Sequence, residues 1–79
     1  MYEYNICNQA DAKLFHKQCL ALEKHIPNLK YSEPLEDVDG TLVQVYQHPN
    51  GIVKVKNDMQ VDALYVVSDF DLLPYFPND

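Results

Sequence analysis

The sequence predicts an α+β fold: one N-terminal helix packed on a three-stranded antiparallel sheet, extensible to four strands, with a short C-terminal helical turn (order α-β-β-β-α). Three observations predict it. Apolar residues recur at helical spacing between Ala12 and Ile26. From residue 41 the period changes to two, and Asn50-Gly51 interrupts that alternation where a tight reversal belongs. The chain has 79 residues, enough for one domain spanning 1–79 and too few for a second.

The helix is expected over residues 9–26. Ala12, Phe15, Cys19, Leu22 and Ile26 are spaced by threes and fours and fall on one stripe. Asn8 is the expected N-cap, and Asp11 places negative charge where the helix dipole favours it. Lys24 and His25 suit the last turn, and Pro27 ends the helix because the residue before a proline disfavours the α region. Leu14 and Leu20 lie off the stripe and offer a second contact surface.

In the sheet, Val43 and Val45 alternate with Gln44, Tyr46 and His48, and Val53 and Val55 alternate with Lys54 and Lys56. The valines are the expected buried face. Asn57-Asp58 offers a second turn. Ala63, Tyr65 and Val67 extend the buried face on a third strand, while Leu64 and Val66 point the other way and suggest a central strand covered on both sides. A short edge strand fits around Leu29 to Leu35, interrupted by Pro34 and the acidic loop from Glu36 to Gly40. The tail from Asp69 to Phe76 is too apolar to be a solvated end, and a helical turn capped by Asp69 is expected there.

The two cysteines, Cys7 and Cys19, are expected to be reduced. Cys19 stands about 15 Å along the helix from its start, whereas a disulfide needs Cα atoms within about 7 Å. No basic n-region with an apolar run opens the sequence, and no apolar stretch approaches the roughly 18 residues of a membrane span. A cytoplasmic location without a membrane partner is the expectation.

Twelve acids oppose six bases, for a net charge of −6, and every base is a lysine. Without arginine the chain lacks bidentate capture of phosphate, and the negative field opposes approach to nucleic acid. Direct nucleic-acid binding is therefore not expected. Cys7, His16, Cys19, His25 and His48 form no paired metal-ligand spacing. Asp37-Val38-Asp39-Gly40 is only a fragment of a calcium loop. Gly40 and Gly51, the sole glycines, both sit in turns, so no phosphate-cradling loop exists. Ser32 and Ser68 stand in no nucleophile motif. No metal, no cofactor and no catalysis are expected.

The element order is similar to that of double-stranded-RNA-binding domains. Their basic C-terminal helix has no counterpart, because residues 57–79 hold five aspartates and no base. The stretch from Asp69 to Phe76 looks like the acidic tip of bacterial single-stranded-DNA-binding proteins, but Pro77-Asn78-Asp79 follow where that tip ends on its phenylalanine.

Charge is the feature with functional content. Carboxylates beside aromatic groups suit a basic partner, since opposed potentials steer encounter and aromatic rings supply anchors. The expected function is a small, non-catalytic protein-binding module of inhibitor type, in the manner of phage-encoded anti-defence proteins, DNA mimics or toxin-immunity proteins. It would occlude a basic site on a larger protein. The residues expected to carry it are Glu36, Asp37, Asp39, Asp69 and Asp71, with Tyr75 and Phe76 as anchors, gathered on one side. The alternatives are a homodimer or larger homo-oligomer, buried through the tail and Leu14/Leu20, with a structural role, and a small metal-dependent enzyme.

Overall fold

The structure is a computed structural model that describes residues 1–32 and 34–76. Over the described residues it is an α+β fold with one helix on one antiparallel sheet, as the sequence predicts, but the sheet has six strands. They are β1 (Tyr2–Cys7), β2 (Lys30–Tyr31), β3 (Leu35–Glu36), β4 (Leu42–His48), β5 (Gly51–Asp58) and β6 (Ala63–Ser68). Helix α1 (Ala12–His25) lies between β1 and β2, and a 3-10 turn follows at Leu73–Tyr75. The spatial order is β1-β6-β5-β4, with β2 and β3 both paired along the far edge of β4.

β1 corrects the expected order. The first strand pairs antiparallel with the last, Tyr2 opposite Ser68 and Tyr4 opposite Val66, which makes β6 central. Its alternation, Tyr2 and Tyr4 against Glu3 and Asn5, is present in the sequence. A bulge between Asn5 and Cys7 then cuts it short.

The helix begins later than expected. Asp11, not Asn8, is the N-cap, in extended conformation, and it accepts from the N–H groups of Lys13 and Leu14. Residues just before it are held by the end of β5 and the β5–β6 turn, beside which β1 finishes: Asp62 accepts from the Ala10 N–H and the buried Asn57 side chain from the Asp11 N–H, both at 2.8 Å. Those tertiary bonds anchor the chain at the entry to the helix, where Asp11 is extended and caps the first turn. Ile26 caps the other end, next to Pro27.

Phe15, Cys19, Leu22 and Ile26 form the buried stripe, meeting Tyr46, Val53, Val55, Leu64, Val66 and Leu72. Burying each large apolar side chain here contributes roughly 1.5–3 kcal/mol. Ala12 is exposed at the first turn. The expected parity holds on β5 and is inverted on β4 and β6. Partners directly opposite share a face, and Val53 and Val55 lie opposite Tyr46 and Gln44 on one side and Ser68 and Val66 on the other. So Tyr46, Gln44, Leu64 and Val66 face the helix, and Val43, Val45, Ala63, Tyr65 and Val67 line the outer face. Hydrogen bonds make the polar members tolerable. Tyr46 donates to Glu23 Oε2 at 2.8 Å, and burial, then that carboxylate, push its hydroxyl pKa far up. Gln44 donates to the carbonyls of Ser32 and Val45.

Two turns also differ. Asn57 and Asp58 belong to β5, and the reversal falls at residues 59–62, with Asp62 at φ 53°. The tail docks on the core through the fully buried Leu72, as expected, but Asp71 rather than Asp69 accepts from the Leu73 N–H. Cys7 and Cys19 are free thiols, and burial pushes Cys19 up. No helix of the described residues is long and apolar enough to cross a membrane.

Candidate protein-binding site

The residues expected to form one acidic face are divided between two ends of the sheet. Asp69 sits beside Gly51, at the start of β5, whereas Asp58 closes the same strand. An eight-residue strand is about 24 Å long, about three Debye lengths at physiological ionic strength. The two groups of carboxylates therefore act as separate fields.

At the hairpin end the acids serve the fold. Asp69 Oδ2 accepts from the Ile52 N–H at 2.9 Å. Asp71 Oδ1 accepts from the Tyr4 hydroxyl at 2.9 Å, while the same hydroxyl accepts from the Leu72 N–H at 2.8 Å. Burial, opposed by that Leu72 bond and reinforced by Asp71, raises the Tyr4 pKa. Tyr75 and Phe76 are half-buried, and Phe76 meets Tyr4 edge-on with centroids 5.1 Å apart. Both rings pack against the core and brace the tail, so each presents only part of its surface to a partner.

At the other end, Glu36, Asp37 and Asp39 are brought together with Asp58, which the sequence reading placed in a turn. They line an open cleft of about 370 Å³ with Leu35, Thr41, Val43, Lys56 and Gln60. Two loops build its rim. In the β3–β4 loop, Asp37 takes the Val38 N–H, Asp39 takes the Thr41 N–H, and Gly40 has φ 90°. In the β5–β6 turn, Asp58 takes the N–H groups of Gln60 and Val61. The Met59 N–H donates to Thr41 Oγ1 at 3.0 Å and ties the two loops together.

The electrostatics of the rim follow from those bonds. The Thr41 N–H and hydroxyl hold the Asp39 carboxyl below the usual range. Asp58 is also held low: partial desolvation opposes this, but the Gln60 and Val61 N–H groups, the Tyr65 hydroxyl and Lys56 outweigh it. Lys56 stands 4.0 Å from Asp58, at the outer limit of an ion pair, so the contact has little energetic weight. Beside the acids, Leu35, Val38, Met59 and Val61 are all exposed, Val38 completely. The sequence reading missed these four, because nothing in a short loop marks which apolar residues stay outside.

Among the described residues, no group of three or more His, Cys, Asp or Glu side chains is arranged to hold a metal ion. The arrangement suits cationic chains: carboxylates for the charged heads, and aliphatic groups for the stems of lysine and arginine. No family model, curated protein or solved structure matches this chain.

Proposed function

We propose that the protein is a small, non-catalytic binding module whose acidic rim engages a basic surface on a larger protein and occludes it. Glu36, Asp37 and Asp39 are the residues carried forward from the sequence, joined by Asp58. Asp69, Asp71, Tyr75 and Phe76 act indirectly, by holding the hairpin and tail in place. Occlusion is the form of inhibition such a contact gives, and it matches the anti-defence or immunity class expected from the sequence.

One observation carries this reading: the Thr41–Met59 bond joins two loops into a rim that presents carboxylates and exposed aliphatic groups together. Opposed charge supplies orientation and a fast encounter, and the aliphatic groups supply desolvated contact. The test is affinity capture with wild type and a rim variant carrying Glu36→Gln, Asp37→Asn and Asp39→Asn. The expected outcome is one basic protein recovered by the wild type, lost from the variant, and released as salt is raised. Equal recovery of every protein by both baits removes the electrostatic claim.

A further inference from the structure

The two edges of the sheet differ. The outer edge of β4 is covered by β2 and β3, whereas no described strand or loop bonds to the outer edge of β1. The direction of its backbone groups follows from the ladder. The Asp69 N–H donates to the Ile52 carbonyl, so Ile52, and by the period of two Lys54 and Lys56, bond towards β6. Val67 and Tyr65, opposite those lysines, are thereby committed to β5. Ser68 and Val66 turn the other way and bond Tyr2 and Tyr4. Glu3 and Asn5 consequently direct their N–H and C=O groups outward, along an edge without proline or lysine to discourage pairing.

A groove runs beside this edge on the helix side. It has a volume of about 170 Å³ and lies between Ile6, Ala21, Leu22, Tyr75 and Phe76. Ile6, at its margin, and Tyr2, at the other end of the strand, are exposed.

We infer that β1 is a self-pairing edge, at which a second copy of this chain adds its own β1 antiparallel across a two-fold axis at Tyr4. The bulge after Asn5 bends the strand, so the usable edge runs from Tyr2 to Ile6 with Tyr4 at its centre. That register places Glu3 of each copy opposite Asn5 of the other, so all the outward backbone groups of those residues are bonded. Tyr2 of each copy comes level with Ile6 of the other, where its ring enters the groove. Centring on Glu3 instead would oppose two like charges, and centring on Asn5 would place Glu3 opposite Cys7, beyond the bulge. Only the Tyr4 register satisfies both backbone and charge. The contact is smaller than the 20–30 residues a side of a standard interface, so the dimer is weak and reversible. Two copies, each of charge −6, also repel one another, and salt relieves that repulsion.

Sedimentation velocity over a concentration series tests the pairing. Wild type is expected to dimerise reversibly, and more strongly as salt is raised, opposite to the salt response expected of the acidic rim. Asn5→Pro removes an outward N–H and leaves the β1–β6 ladder intact. It is expected to weaken dimerisation at least about tenfold, with the circular dichroism spectrum unchanged. Tyr2→Asp, at an exposed side chain, is expected to do the same and decides the matter if the proline variant fails to fold. A strict monomer up to about 1 mM overturns the inference. So does a dimer that survives both variants and is abolished by Leu20→Asp on the helix.

Discussion

The two ends of the sheet use the same residue type for opposite purposes. At the hairpin end, Asp69 and Asp71 are spent on bonds that reach across the sequence: Ile52 lies 17 residues from Asp69, and Tyr4 lies 67 from Asp71. At the rim, Asp37 and Asp39 bond N–H groups one and two residues away. A long-range bond fixes tertiary structure. A short-range bond shapes a loop and leaves the carboxylate facing solvent. Carboxylate count therefore says little about binding until the range of each bond is known.

The largest expected effect separates the two turn glycines. A Cβ at Gly51 would fall 2.5 Å from the Asp69 Cβ, at φ 141°; at Gly40 the nearest atom is the flexible Met59 side chain at 3.7 Å, at φ 90°. Gly51→Ala is expected to cost about 3 kcal/mol and Gly40→Ala about 1 kcal/mol, measured by urea unfolding. Equal costs would mean that backbone strain alone matters and that Asp69 can move aside.

Next in size is the loss of one cross-sequence bond. Asp69→Ala leaves the Ile52 N–H without its acceptor and is expected to destabilise by about 1 kcal/mol. Glu36→Gln with Asp37→Asn is expected to stay within about 0.5 kcal/mol of wild type. A rim variant as unstable as Asp69→Ala would show that the loop acids support the fold as well.

The smallest effect is a pH dependence at the rim. Asp39 and Asp58 are held below their ordinary pKa in the folded chain. A depressed folded pKa contributes stability above the unfolded value of about 3.9 and loses it as pH falls through the folded value. Unfolding curves from pH 7 down to pH 3 are thus expected to show wild type above the Asp39→Asn, Asp58→Asn variant at neutral pH and converging with it in acid. A gap that stays constant down to pH 3 would contradict the depressed carboxyls.

Local patterns carried much of the fold. The helix stripe, a reversal near Asn50-Gly51, the inward valines of β5 and the docking of the tail were all legible, because each depends on neighbours within a few residues; the loop itself is Pro49-Asn50, one residue earlier than expected, with Gly51 already opening β5. The orientation of β4 was not. Val43 and Val45 look more apolar than Gln44 and Tyr46, yet the register with Val53 and Val55 turns Tyr46 inward. There Glu23 on the helix accepts its hydroxyl bond. The candidate site was half legible: Glu36, Asp37 and Asp39 form a run in sequence, whereas Asp58 joins them only through strand pairing.

What the sequence determined by itself is the helix with one apolar stripe, the approximate places of the reversals and the excess of acids. Periodicity, glycine and charge act over short distances along a chain, so they can be read in order. Tertiary structure alone decided that β1 closes the sheet against β6, that Asp11 rather than Asn8 begins the helix, and that one set of aspartates braces the hairpin while another lines the rim. Each of those outcomes rests on bonds between residues well apart in the chain, from 17 positions for Ile52 and Asp69 to 67 for Tyr4 and Asp71, formed only once the strands have chosen their neighbours.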